Sequence, residues 1–480
     1  LTSMSVSLPP MARPLAARSA VCVLLLGSAL VACAGKAPAP APVATAATQS
    51  AGNAGLAPPP LTTEPVAGQR PNAAVTRQEE RKAIIDAVFN LVRDKHYDKT
   101  LGGLDWPAVR KRYEPLAIGA PNDATFFRFV NQMVGELGQS HIEVSGPGAP
   151  GKVDWGEREG SSAGAADPGL LVRIIEGKPT ITFVRPDSSA SRAGLKAGFV
   201  VTHIGGWEVR TSGWSARPLR PVEERFYSRV AMARRLSGPA NTRVTVRYLD
   251  ANDRPAEVVL EREAPKATPV KLGLLPPLYP EVRSAHVGDV GVLAFNLFLT
   301  EGVLPQVQAA LEGFRKRGVR ALVIDLRGNP GGQGAVAIPI AARLVQKPLT
   351  LGTLHFRDFN QTFTASPSLG VQPFLGPVVI VTDEGSASTA EMFAAGLQEG
   401  GRALVVGDTT LGAVLPSQVE SLPGGAIMQY VVADFRTPKG VLLEGRGVQP
   451  NRRILETRAA LLNGRDPVLE AALAATRSSR

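Results

Sequence analysis

Two short stretches gather the residue types needed to form and stabilise an acyl-enzyme. In Thr382-Asp-Glu-Gly-Ser-Ala-Ser388-Thr-Ala-Glu391 an apolar, strand-like run turns sharply and a helix begins at a hydroxyl residue. A Ser at such a turn stands at the positive end of the helix, which suits a nucleophile. Ser388 followed three residues later by Glu391 is equally a capping box, and on residue type alone that purely structural role competes. In Val323-Ile-Asp-Leu-Arg-Gly-Asn-Pro-Gly-Gly332 a second apolar run enters the tight turn Asn329-Pro330-Gly331-Gly332, where no side chain covers the backbone donors. The N–H of Gly331 or Gly332, joined by that of Thr389, could form an oxyanion hole.

Other chemistries find less support. Gly332-Gln-Gly334-Ala-Val-Ala337 formally fits a dinucleotide fingerprint, but no acidic residue follows at the required distance, and no Lys-Ser/Thr completes a phosphate loop. The five His (96, 141, 203, 286 and 355) are scattered and no His-Glu-x-x-His occurs, so neither a metal nor a cofactor is expected. The net charge of +11 would permit an acidic partner, yet no Lys/Arg block supports a nucleic-acid surface. Two Cys exclude a disulfide scaffold, and 44% hydrophobic against 20% charged residues excludes wholesale disorder.

The elements that must position these residues fall into three folded units, as 480 residues suggest. Residues 76–150 read as a helical unit: a capping box at Thr76, a helix opened by Asp105-Trp106-Pro107, and a helix from Asn122 to Leu137 stopped by Gly138. Residues 166–265 read as short strands, at 170–175, 180–184, 200–204, 244–248 and 257–260. From 266 to 480 strands and helices alternate: strands at 291–296, 321–325, 378–382 and 403–406, helices at 303–317, 333–344 and 389–399. That rhythm implies an α/β core with a largely parallel sheet. Further β segments (417–422, 426–435) and a terminal helix (467–475) follow.

Ahead of these units, the chain from Met11 reads as an export signal, with Arg13 and Arg18 before an apolar run from Ala20 to Val31. The run is shorter than the ~20 residues a permanent anchor needs. It ends Leu30-Val31-Ala32-Cys33, which resembles a bacterial lipobox, so 1–33 is expected to be a lipoprotein signal with Cys33 lipidated. Cys22 would leave with the signal. Residues 34–75, rich in Ala and Pro, read as a tether. Ala34 resembles an outer-membrane sorting choice, implying a lipid-anchored envelope protein facing the periplasm.

Two resemblances add to this reading. Ser188-Ser-Ala-Ser-Arg-Ala-Gly-Leu-Lys-Ala-Gly198 with Val200-Val-Thr-His-Ile-Gly-Gly206 resembles a bacterial PDZ domain, and Gly169-Leu170-Leu171 resembles its carboxylate-binding loop. The resemblance implies capture of C-terminal tails by strand addition. Asp325-Leu-Arg-Gly-Asn-Pro-Gly-Gly332, Gly385-Ser-Ala-Ser388 with Glu391-Met-Phe-Ala-Ala, and Gly401-Arg-Ala resemble the C-terminal processing (tail-specific) serine peptidases. This implies a crotonase/Clp-like α/β core with Ser388 as nucleophile. The branch that uses a Lys base carries it in a Gly-Lys-Gly turn, but here Thr410-Leu-Gly412-Ala413-Val414 puts Ala413 in its place. Without a base the hydroxyl is a poor nucleophile.

His141, in Gly138-Gln-Ser140-His141, resembles the Ser-His element of the tricorn-like branch, which implies an imidazole base with Ser140 in support. Leu443-Glu444-Gly-Arg-Gly-Val-Gln-Pro450 resembles the element that brings a carboxylate to orient that base. Lys439, the only Lys after Ser388, is the other candidate base. The missing Lys is also what a non-catalytic, tail-binding scaffold on the same fold would show. The leading expectation is a serine endopeptidase acting on proteins or peptides.

Overall fold

The computed structural model describes residues 73–147, 166–214, 218–367 and 372–478. The signal, Cys33 and nearly all of the tether lie outside them. No helix among the described residues is long and apolar enough to cross a membrane.

The first helix runs Ala73–Lys95, so Thr76 lies inside its first turn instead of capping it. The other two start where their caps predict: Asp105 accepts from the Ala108 N–H before Trp106–Ile118, and Asn122 from the Thr125 N–H before Asp123–Gly135. Their apolar faces do not close a core alone. Ile85, Val88, Phe126, Val130 and Met133 pack against Val144, Met428 and Tyr430, on two strands of a three-stranded sheet. That sheet is ordered Glu143–Ser145, Ile427–Val431, Ser417–Ser421. The helical unit and the C-terminal part of the chain thus share one core, which fixes residues 138–142 against the α/β body.

The main sheet is ordered Val282–Val287, Val290–Phe295, Ala321–Asp325, Val378–Thr382, Leu404–Gly407, Arg452–Arg453. Its first pair is antiparallel and the rest are parallel. The strands Ala321–Asp325 and Val378–Thr382 are buried throughout, as expected of central parallel strands covered on both faces. Both end on one rim, where the two glycine- and serine-rich turns lie. The expected helix at 333–344 is broken into a single 3-10 turn, Gly334–Val336, and a short helix, Ala337–Ala342. The expected strand at 426–435 is split into Ile427–Val431 and Ala433–Arg436, which enter different sheets. Leu349–Phe356 and Asn360–Ala365 form a hairpin absent from the sequence reading, and its first strand pairs with the second of these pieces.

The middle unit is a sheet of order Leu170–Ile175, Lys178–Val184, Val200–Ile204, Arg243–Leu249, Pro255–Glu261, with a helix Pro221–Leu236 beside its first strand. This helix was also missing from the sequence reading. Its buried face includes Glu223, Ser228 and Arg229 among the apolar residues, which blurs the periodicity that marks an amphipathic helix. Arg229 is buried because the helix meets the α/β core, where it pairs with Asp383 at 3.1 Å.

Candidate active site

Ser388 sits where the sequence places it, between the strand Val378–Thr382 and the helix Thr389–Glu399. The turn is built by short-range polar side chains. Asp383 Oδ1 accepts from the N–H groups of Gly328 (2.7 Å) and Gly385 (2.8 Å), and Ser386 Oγ donates to the Leu326 carbonyl at 2.8 Å. The Ala387 N–H donates to the Asn329 carbonyl at 3.0 Å. These bonds stitch the two glycine-rich turns together and force Ser388 to φ +59°, ψ −123°, a conformation that costs a non-glycine residue about 1–3 kcal/mol. The capping role is only half filled: the Ser388 N–H donates to Glu391 Oε2 at 3.0 Å, while the Ser388 hydroxyl, fully buried, has no hydrogen-bond partner.

The expected oxyanion donors divide. The Gly331 N–H is taken by Asn329 Oδ1 at 2.9 Å, so Gly331 does not offer a free donor, contrary to the sequence reading. Its contribution is space: at φ +96°, a Cβ there would lie 2.7 Å from Ser388 Cβ and 2.8 Å from the Thr389 nitrogen. The N–H groups of Gly332 and Thr389 make no hydrogen bond among the described residues. The Thr389 hydroxyl donates to the Gly332 carbonyl at 3.0 Å, which fixes the two residues together.

His141, Ser140 and Glu444, 304 residues apart at the extremes of their numbering, form one chain of bonds. His141 Nδ1 lies 2.7 Å from Ser140 Oγ, which donates to Glu444 Oε2 at 3.1 Å. The Ser140 N–H donates to Glu444 Oε1 at 2.9 Å. With Ser140 Oγ donating onward, Nδ1 carries the proton and Nε2 is left as an acceptor. That Nε2 is buried and has no partner. Burial pushes the imidazole down to about 4, so it is neutral at pH 7. Burial also raises Glu444, against the bonds it accepts from Val414 and Ser140.

The loop Thr410–Val414 lies between the two groups. The Ala413 N–H donates to Glu391 Oε2, one turn beyond Ser388, and the next amide, Val414, donates to Glu444 Oε2 at 2.9 Å. Ser388 and His141 are therefore tied to adjacent residues of one loop, although no hydrogen bond joins them directly. Ala413, in the place of a Lys, packs with Ala387 and Leu411 against Phe226. Lys439 is exposed, and its N–H donates to Glu399 at the far end of the nucleophile's helix, about 16 Å from Ser388 by helix rise. No hydrogen bond or ion pair among the described residues ties the Lys439 ammonium to the Ser388 turn.

The helix Pro221–Leu236 leans on the same rim. Arg220, at its N-cap, donates to the Leu411 carbonyl at 2.7 Å, and Arg229 pairs with Asp383 at 3.1 Å. Arg173, from the strand beside it, pairs with Glu384 at 2.7 Å and Glu456 at 2.5 Å. Immediately before this strand, the Gly169 N–H is engaged by Asp167 Oδ1 at 2.7 Å, so it is not free to take a carboxylate as expected. Leu170 and Leu171 are buried on the edge strand. The sequence reading missed Glu391 as anything but a cap, and missed Arg173 and Arg229 altogether. The charge of the two arginines, buried only by the meeting of units, leaves no local signal.

Residues 289–454 match the family model described as Peptidase family S41, and residues 77–135 match the Tricorn protease C1 domain. A carboxyl-terminal-processing protease of Synechocystis sp. is 25% identical over 79% of this chain and 82% of its own length. Among solved structures, a photosystem II D1 C-terminal processing protease superposes with TM-score 0.53 at 20% identity, covering 82% of this chain and 97% of its own. Mature CPAF superposes with TM-score 0.56 at 15% identity, covering 83% and 97%. The last two share the mixed α/β, multi-sheet fold. The chain is a serine-type peptidase. The segment that carries the S41 match holds Ser388, both glycines and Glu444, while Ser140 and His141 fall between the two matched segments.

Proposed function

We propose that this peptidase is an endopeptidase that cleaves proteins or peptides through an acyl-enzyme on Ser388, with His141 as general base. Ser388 Oγ attacks the scissile carbonyl carbon as His141 Nε2 takes its proton. The tetrahedral oxyanion is received by the N–H groups of Gly332 and Thr389. The imidazolium, held by Ser140 and Glu444, then protonates the leaving amine, and water hydrolyses the ester by the reverse proton path. The observation that carries the reading is the pair of buried polar atoms without partners, Ser388 Oγ and His141 Nε2, on residues linked through Glu391 and through Ser140 and Glu444 to neighbouring amides of one loop. Buried polar groups are ordinarily paired, and exceptions call for a reason such as catalysis.

Ser388 is fully buried in this conformation, so turnover requires a rearrangement that opens it to substrate, and the helix Pro221–Leu236, whose Phe226 packs on Ala387, is the element beside it. The unit that carries it is read as a PDZ domain capturing substrate tails. An edge strand, Leu170–Ile175, with a helix alongside supports this reading, since strand addition needs such an edge. The same proposal places the protein on the envelope, lipidated at Cys33 and facing the periplasm, on the strength of the leader sequence. The experiment is turnover of an unfolded protein by Ser388→Ala: the variant binds the substrate and does not cleave it. Cleavage at the wild-type rate removes Ser388 as nucleophile.

A further inference from the structure

Glu391 takes no part in the steps above, yet it is fully buried and four donors converge on it. Oε2 accepts the N–H groups of Ser388 and Ala413, both at 3.0 Å. Oε1 accepts the Thr410 hydroxyl at 2.5 Å and the Gly412 N–H at 2.7 Å. One donor belongs to the nucleophile itself and three to the loop Thr410–Val414. The loop is in turn bound to the segment that carries Glu444. The Gly445 N–H donates to the Gly412 carbonyl at 2.8 Å, the Val448 N–H to Thr410 Oγ1 at 2.7 Å, and the Val414 N–H to Glu444 itself. Gly412 fits this seat because a Cβ at its φ of +75° would stand 2.8 Å from the Gly447 nitrogen. Consecutive amides of the loop thus hold two different carboxylates, one on the nucleophile's helix and one behind the base.

Resting on the Ser388/His141 reading, we propose that Glu391 is a positioning residue for the peptidase reaction. Its carboxylate fixes the loop Thr410–Val414 to the nucleophile's helix, and through that loop sets where Glu444, Ser140 and His141 stand relative to Ser388. The contacts demand a group that only accepts. A carboxylate offers two oxygens with about four lone-pair sites, matching four donors, whereas an amide turns one of those oxygens into a donor facing donors. Glu391→Gln keeps the volume and loses the match. Glu391→Asp keeps the charge and shortens the reach to the loop by one methylene. The side chain at 413 is a methyl group that contributes packing alone, so the loop's role here is to hold its neighbours in place rather than to supply a proton acceptor.

The test measures kcat and KM on an unfolded protein substrate. Rates are expressed per active site titrated to its end point with a fluorophosphonate, for wild type, Glu391→Gln, Glu391→Asp, Glu444→Gln and the Glu391→Gln/Glu444→Gln pair. The expected result for Glu391→Gln is a fall in kcat per titrated site of at least ~30-fold with KM within about threefold, because the chemistry and not the binding is disturbed. The double variant falls no more than about threefold below Glu444→Gln alone, since both act through one loop. A Glu391→Gln enzyme with fewer titratable sites but wild-type kcat per site shows a fold-stabilising residue only and overturns the proposal; so do fully multiplicative losses in the pair. If Glu391→Gln does not fold, Glu391→Asp carries the same reading of kcat per site. Activity surviving in Ser388→Ala instead overturns the underlying assignment of the nucleophile, an outcome separate from any result at Glu391.

Discussion

Replacing Glu444 by Gln tests the relay behind the base with little change in volume. Glu444 receives three donors on two oxygens: Ser140 N–H on Oε1, and Ser140 Oγ and Val414 N–H on Oε2. The amide keeps one acceptor and removes the charge. His141 Nδ1 is linked to that carboxylate by bonds of 2.7 and 3.1 Å through one hydroxyl. The imidazolium formed in the transition state therefore stands no more than about 6 Å from the negative charge, an attraction of about 3 kcal/mol at an effective dielectric constant near 20. Losing it should cost about two orders of magnitude in kcat, since ~1.4 kcal/mol is a factor of ten. The neutral imidazole of the resting enzyme gains little from the same charge, so KM changes less than kcat. The assay is steady-state cleavage of an unfolded protein at pH 7.5, per titrated site, with near-UV circular dichroism to confirm the fold. A kcat within threefold of wild type in a folded Glu444→Gln enzyme would refute the reasoning.

Three further consequences follow from the same site. Burial pushes His141 down to about 4 and Glu391 up to about 7, so wild-type kcat should rise through about pH 7 as Glu391 ionises. In Glu391→Gln the residual activity should keep an acid limb well below pH 6, where His141 takes its proton; an unchanged midpoint contradicts this. The same group gives a stability signature. Its folded pKa lies above the unfolded value of about 4.5, so its contribution is complete below that pH and is lost as pH rises through about 7. Denaturant unfolding between pH 4.5 and 8 should show wild type losing up to about 3 kcal/mol relative to Glu391→Gln, and parallel curves would contradict it. Gly331→Ala should lower kcat by at least ~100-fold, because the added carbon meets Ser388 Cβ at 2.7 Å and the Thr389 nitrogen at 2.8 Å; near-normal turnover would show that the turn relaxes.

The sequence was most legible where a residue's role is decided by its immediate neighbours. The strands Leu170–Ile175, Val200–Ile204, Ala321–Asp325 and Val378–Thr382, and the helix Thr389–Glu399, fall at the residues that apolar runs and turn chemistry indicate. Asp105 and Asn122 cap as their types predict. What escaped was set at a distance. The helix Pro221–Leu236 buries Arg229 against Asp383 of another unit and carries Glu223 and Ser228 on the same buried face, so its sequence does not read as amphipathic. Thr76 resembles a cap, but the helix extends through it to Ala73.

The site divides the same way. Ser388 and its two glycine-rich turns are local and were readable. The bond of Gly331 N–H to Asn329 Oδ1 spans only two residues, yet nothing in an Asn-Pro-Gly-Gly run says which amide the side chain will claim. His141, Ser140 and Glu444 became candidates through resemblance, and what joins them is a sheet that pairs Glu143–Ser145 with Ile427–Val431. Glu391 was legible as a cap because three-residue spacing is local. Its hold on residues 410–413 depends on a loop about twenty residues away, which spacing alone does not reveal.

The central claim is that Ser388 is a nucleophile made reactive by His141. The most direct measurement is mass spectrometry of the intact protein and its peptides after treatment with a fluorophosphonate, on wild type and on His141→Ala. The account predicts one adduct per chain, located on Ser388, forming at least ~100-fold more slowly when the imidazole is gone. An adduct on another residue, or labelling of Ser388 at the same rate without His141, would contradict it.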